Sequence, residues 1–125
     1  MRFLVDTHAP LWALGEPSAL SPAARDVIAD PSNVIAVSSA SLWECAIKAS
    51  IGRLDIPDDF FHSVPEAGYE VMPIRIAHLS VYRTLPMHHR DPFDRMLVAQ
   101  AQAEYMTPIS RDAEVAKYDV EVLAC

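Results

Sequence analysis

Four carboxylates in this chain stand where acids can act together. Asp6 ends the apolar run Phe3-Leu4-Val5, and Asp112 comes just after the run Met106-Thr107-Pro108-Ile109. Glu44 lies in the first turns of a helical segment that follows Val34-Ile35-Ala36-Val37, and Asp94 lies in the first turn of a helix opening at Pro92. If the apolar runs are parallel strands, all four acids map to one end of the sheet. Open α/β sheets bind ligands beyond the carboxyl ends of their strands. Like charges gathered there repel and raise one another's pKa values, and a divalent cation relieves that cost. Oxygen donors without a Cys or His set favour Mg²⁺ or Mn²⁺ over Zn²⁺. Such an ion activates water and stabilises charge on a phosphate under attack.

Each acid also has a plainer role open to it. Asp6 can cap the helix predicted to begin near His8 or Ala9. Glu44 completes a capping box with Ser41 and pairs with Lys48 at i,i+4. Asp94 and Asp112 suit the positive end of a helix dipole. Asp91, three residues before Asp94, either shares its helix face or caps it. The collective reading gains from four such acids falling at equivalent ends of successive elements. It also gains from Glu44 being set among Leu42, Trp43 and Cys45, where a half-buried carboxylate needs a partner.

The neighbouring polar residues are less specific. Thr7 and Ser110 each adjoin a strand-end Asp and can orient it or a water, or cap a helix. Lys48, Arg90, Arg95 and Arg111 offer local positive charge for a phosphate backbone, or ordinary surface and salt-bridge roles. His88 and His89 lack zinc-ligand spacing and read as loop residues. Trp12 and Trp43 sit in helical apolar patterns and are expected in the core.

The elements that must position these groups alternate between strand and helix. Buried strands read as continuous hydrophobes at 3–5 and 34–37. A strand over 69–74 is placed nearer an edge because Pro73 lacks a donor. Further strands are expected at 106–109, though Pro108 weakens that one, and at 120–123. Helices are expected from 8 or 9 to 14, with Pro10 in the first turn, and from 23 to 29 behind a Ser21-Pro22 cap. Others run over 40–50, 58–64, 76–85 and 92–105, with a loop or short helix through Lys117. The pattern predicts an α/β sandwich with a mainly parallel five-stranded sheet. Residues 1–125 read as a single domain, without repeat, linker or low-complexity tract.

Composition narrows the function. Half of the residues are hydrophobic (51%) and 22% are charged, so an ordered globular core is expected. A formal net charge of −7 argues against a polybasic nucleic-acid or membrane binder, although acids neutralised by metal remain compatible with a nuclease. Cys45 and Cys125 have no ligand spacing, and Cys45 is expected as a buried thiol. The N-terminal apolar run is too short for a signal peptide, and no stretch approaches a membrane span, so a cytoplasmic location is expected.

Four stretches together carry a resemblance. They are FLVDTHAPLW at 3–12, VSSASLWECAIKASIGRLDIP at 37–57, HHRDPFDRMLVAQAQAE at 88–104 and ISRDAEVAKYDVEVL at 109–123. The chain resembles the PIN-domain family over essentially its whole length, and within it the ribonuclease toxins of type II toxin–antitoxin modules. The family's acids fall on Asp6, Glu44, Asp94 and Asp112, with the more structural Asp91 ahead of Asp94. Ser110 stands where the family often has Thr, and Pro10 and Pro108 stand where the related toxins usually have aliphatic residues.

The resemblance implies a three-layer α/β/α sandwich with strand order 3-2-1-4-5 and Mg²⁺- or Mn²⁺-dependent hydrolysis of RNA, leaving a 3′-hydroxyl and a 5′-phosphate. It also implies a homodimer and inhibition by a cognate antitoxin. Apolar residues of the first helices and around Leu54-Ile56 are candidates for the dimer surface. Alternatives are a PIN-type nuclease in RNA processing or acting on structured DNA, and a non-catalytic binding protein of the same fold. A phosphotransfer receiver is disfavoured because no lysine follows a late strand in a matching position.

Overall fold

Strand β1 (Arg2–Val5) lies in the middle of a parallel sheet, and its residues explain why. Phe3 and Val5 face one side, Leu4 the other, and all three are buried. A strand with no polar side must have cover on both faces. The computed structural model describes residues 1–6, 21–110, 114–118 and 120–124. Thr7, Pro10, Trp12, Arg111, Asp112, Cys125 and the helix expected from residue 8 or 9 lie outside them.

The chain continues through α1 (Pro22–Ala29), β2 (Val34–Ser38), α2 (Ser39–Ser50), α3 (Phe60–Glu66) and β3 (Glu70–Met72). It then forms α4 (Ile76–Tyr82), α5 (Pro92–Glu104), β4 (Thr107–Ile109) and a 3-10 turn over Val115–Lys117. The strand order is β3-β2-β1-β4, all parallel. One apolar cluster packs Leu4, Ala36 and Met72 against Leu97, Val98 and Ala101 of α5. A second packs Phe3, Val5, Ile35, Val37 and Ile109 against Ala24 of α1 and Phe60 and Val64 of α3. Helices therefore cover both faces, as the hydrophobic runs predict.

The sheet has four strands among the described residues, where five were expected. The segment expected as the fifth makes a single parallel bridge, Leu123 to Ile109. It still lies outside β4, as the order 3-2-1-4-5 requires. Pro108 does not disrupt β4 for a geometric reason. The Ile109 carbonyl accepts the Asp6 N–H on the β1 side, so Pro108 directs its missing N–H away from β1, and its carbonyl accepts the Leu123 N–H. On the other edge β3 ends at Met72, immediately before Pro73.

One helix start differs from expectation. Ser38, not Ser41, caps α2, its hydroxyl accepting the Ala40 N–H, so the box between Ser41 and Glu44 does not form. Helix α5 ends on Tyr105 in the left-handed region (φ 54°), a position usually given to glycine. Leu54 and Ile56, expected as dimer-surface candidates, pack against the second apolar cluster. No helix among the described residues is long and apolar enough to cross a membrane.

Helices α4 and α5 share a buried polar link. The His78 Nδ1 accepts the Arg75 N–H (2.9 Å), which leaves the ring proton on Nε2 to be donated to Glu104 Oε1 (2.8 Å). That hydrogen bond, assisted by Arg75 and opposed by burial, holds the Glu104 carboxyl below its ordinary value of 4.5. The carboxylate thus adds stability that is complete above that value and is lost as pH falls through the lower folded one. Urea unfolding at about pH 7 and about pH 3.5 should show a smaller acid-induced loss in Glu104→Gln than in the parent. Equal losses would remove Glu104 from the acid response.

Candidate functional site

The carboxyl rim of the sheet gathers side chains from strands and helices that start and stop there. Val5 pairs in register with Val37 of β2 and Ile109 of β4, so Asp6, Ser38 and Ser110 follow at one level. Asp6 is buried and accepts a hydrogen bond from Ser110 Oγ at 3.0 Å. A carboxylate withdrawn from water requires such partners. The expected orienting role of Ser110 thus has a direct geometric basis.

Glu44 projects from the second turn of α2. It is buried, and its Oε2 lies 3.0 Å from Lys48 Nζ, one turn further on, as the i,i+4 spacing predicts. The hydrogen bond to Glu44 raises the Lys48 pKa against the cost of its partial burial, and the negative charges of Glu44 and Asp91 add to the shift. Asp91 belongs to the start of α5, the end of that helix that meets α2. The Trp43 and Phe93 rings meet edge to face between the same two helices, their centroids 5.6 Å apart.

Asp91 is the cap of α5. Its Oδ1 accepts the N–H groups of Phe93 (2.8 Å) and Asp94 (3.4 Å), and Pro92 takes the first helical position, where no N–H is needed. Asp94, half-buried in the first turn, lies 3.1 Å from His89 Nε2. The His89 Nδ1 accepts the Asp91 N–H at 3.0 Å, so Nε2 is the nitrogen that donates to Asp94. His89, expected as a loop residue, therefore contacts one of the four acids.

Asp6, Glu44 and Asp94 thus stand on β1, α2 and α5, elements whose ends share one rim. Among the described residues, no three Asp, Glu, His or Cys side chains come together closely enough to hold a metal ion. Asp112 and Thr7 fall outside the described residues. The donor chemistry fits a hard divalent cation, since the rim offers carboxylate oxygens, two of the three carboxylates being buried. Lys48 neutralises Glu44, and His89 donates a hydrogen bond to Asp94, in the arrangement seen.

Other assignments change. Arg95, expected among possible phosphate contacts, is buried. Its guanidinium donates to the Pro86 carbonyl (2.9 Å) and the Tyr118 hydroxyl (3.2 Å) and lies 4.9 Å from the Tyr82 ring centre. The Tyr118 hydroxyl also accepts the His89 N–H (2.9 Å), and its ring meets His88 edge to face. Arg95 and Tyr118 therefore position the loop that carries His89 and Asp91. Sequence reading gave Tyr118 no role, because an isolated tyrosine between charged residues has no distinguishing pattern. Trp43, expected in the core, is 61% exposed. Cys45 is buried as expected, and desolvation, with the Glu44 charge adding to it, pushes its thiol up to about 11. Arg90 is exposed.

Comparison with known proteins fits this architecture. The PIN domain family's sequence profile matches residues 3–121, and the chain belongs to that family. No curated protein sequence matches it. Among solved structures it is similar to VapBC2 from Rickettsia felis, bound to a DNA fragment from its promoter. The TM-score is 0.74 at 14% identity, covering 100% of this chain and 99% of the other. FitAcB from Neisseria gonorrhoeae gives 0.64 at 18% identity, covering 97% and 96%. VapBC-5 of the VapBC toxin–antitoxin family, from Mycobacterium tuberculosis, gives 0.63 at 15% identity, covering 99% and 98%.

Arg95→Met should cost roughly 3 kcal/mol in urea unfolding, since it strips charged hydrogen bonds and a desolvated ring contact together. A loss under about 1 kcal/mol would mean that the loop is held by other contacts.

Proposed function

We propose that this chain is a metal-dependent endoribonuclease, the toxin of a type II toxin–antitoxin module, inhibited by a cognate antitoxin and acting in the cytoplasm as a homodimer. The observation that carries the reading is the buried Asp6 carboxylate, held by Ser110 at the carboxyl end of the central strand in a chain of the PIN family. The similarity in fold to VapBC-5, a member of the VapBC family of toxin–antitoxin systems, supports the antitoxin partnership.

Asp6, Glu44 and Asp94 would hold Mg²⁺ or Mn²⁺, and Asp112 would complete the set. When bound, the ion supplies an acidified water and charge stabilisation at the phosphate. The chain's own residues supply the rest. Ser110 fixes the direction of the Asp6 carboxylate. Asp91 caps α5 and so orients Asp94 at the positive end of that helix. Lys48 and His89, each paired with a rim acid, can turn toward phosphate oxygens when those acids take up a cation. Hydrolysis leaves a 3′-hydroxyl and a 5′-phosphate. Unpaired RNA is the expected substrate, because flexible backbone enters a recessed rim more readily than a duplex.

Asp6→Asn and Asp94→Asn should each abolish cleavage of an unstructured RNA while leaving the circular dichroism spectrum unchanged. Full activity in either purified variant would contradict the assignment. EDTA should stop the parent enzyme, and added Mg²⁺ or Mn²⁺ should restore it. Cleavage that persists after complete chelation would exclude a metal-dependent mechanism.

A further inference from the structure

Helix α4 is amphipathic in the inverse sense. Its buried residue is His78, bonded to Glu104 of α5, while Ile76 and Leu79 face water. On α2, Trp43, Ile47 and Ile51 recur every four residues, so they share one face, and all three are exposed. Helices α2 and α4 both pack on α5. Between them lies a groove of about 270 Å³, lined by Trp43 on one side and by Ile74 and Tyr82 on the other, with Phe93 and Met96 of α5 beneath. The two ridges and the groove therefore form one apolar surface. Its six ridge residues, Trp43, Ile47, Ile51, Ile74, Ile76 and Leu79, run from 36% exposed at Ile47 to 83% at Ile76. They leave on the order of 600 Å² open to water, at the upper end of the largest patch found on a typical monomer.

We propose that this α2–α4 face is the contact between two copies of the chain, the ridge of each entering the groove of the other. The inference rests on the homodimer in the reading above and names the surface that makes it. Leu54 and Ile56, the earlier candidates, pack inward instead. Area is the first argument for this occupant. A stable dimer covers roughly 800 Å² on each partner, of which about 65% is apolar, so the exposed ridges supply that apolar share by themselves. Charge is the second. Lys48, next to Ile47, is paired with Glu44, and Arg75, next to Ile76, is paired with Glu104. With those cations neutralised inside the chain, two identical faces can meet without opposing free like charges there, and an acidic segment of another protein finds little to bind. Arg83, one turn beyond Leu79, lies at the end of the stripe, where the rim of a contact is polar. A two-fold contact uses the same patch twice, so one apolar face suffices.

The test is sedimentation velocity of the full chain over about 1–100 µM, for the parent, Ile76→Glu, Ile51→Lys and Phe61→Glu. Ile76 opens α4 and Ile51 closes α2, so each ridge variant adds the charge that its helix end favours. Circular dichroism melting should keep both within a few degrees of the parent. The parent should sediment as a dimer. Each ridge variant should raise the dissociation constant at least about a hundredfold, because the contact would desolvate one unpaired charge from each copy. Phe61→Glu, on α3 at the other face of the sheet, should dissociate no more than the parent. A dimer that survives in either folded ridge variant would overturn the inference and leave the homodimer to another surface. Dissociation of Phe61→Glu to the same extent would overturn it as well. A parent that is monomeric at about 100 µM would overturn both this contact and the homodimer, assigning the stripe to a different protein while leaving the ribonuclease reading intact.

Discussion

Parallel pairing on both sides of β1 is the constraint from which the other features follow. A strand without a polar side has to be central, and a central parallel strand needs helical crossovers on each face. Those crossovers fix where every following element begins. Helix α2 starts at the carboxyl end of β2 because Ser38 ends the strand and caps the helix at once. Helix α5 runs back toward the start of β4, so its own beginning returns to the same rim. Strand direction thus puts Asp6, Glu44 and Asp94 on elements that end at one rim, although no three Asp, Glu, His or Cys side chains among the described residues come close enough there to share an ion.

Desolvation then decides what those acids require. Asp6 and Glu44 are nearly out of water, and a buried charge without compensation is costly. Ser110, Lys48 and His89 supply compensation at Asp6, Glu44 and Asp94 respectively. The same pairing leaves the rim able to exchange one set of partners for another. Under the proposed function, a cation taken up by the carboxylates would release Lys48 as a positive group and His89 as a hydrogen-bond donor beside a bound polyanion.

The strands and the acids were legible because both depend on one-dimensional signals. Continuous apolar runs mark buried strands, and an acid directly after such a run marks the rim. The similarity in fold to structures only 14–18% identical is consistent with a pattern carried by few positions. The misread residues depend on tertiary direction instead. Trp43 lies in an apolar helical sequence yet faces outward, because the inner face of α2 is taken by Ala40, Ser41, Glu44 and Cys45. Arg95 resembles any surface arginine until Tyr82, Tyr118 and the Pro86 carbonyl enclose it. His78 is legible in the sequence only as a polar residue on a short helix, since Glu104 and Gln100 come from a helix more than twenty residues away. The fifth strand reduces to a bridge because its neighbour β4 is three residues long and offers little edge.

These misreadings share a cause that bears on the rim itself. Arg95, Tyr118 and the backbone N–H of Asp91 form a continuous support that runs from the core of α5 to the loop carrying His89. Sequence separation hides it, since Tyr118 lies more than twenty residues beyond Arg95. Its effect is to fix the first turn of α5 from behind, so that Phe93 and Asp94 keep their directions relative to α2. An acid on an unsupported helix end would sample many orientations, and the entropy of ordering it would fall on whatever it bound. Here that ordering is already done by contacts remote from the rim. The buried arginine therefore bears on the chemistry of the rim without touching it, through the rigidity it gives to the helix end that does.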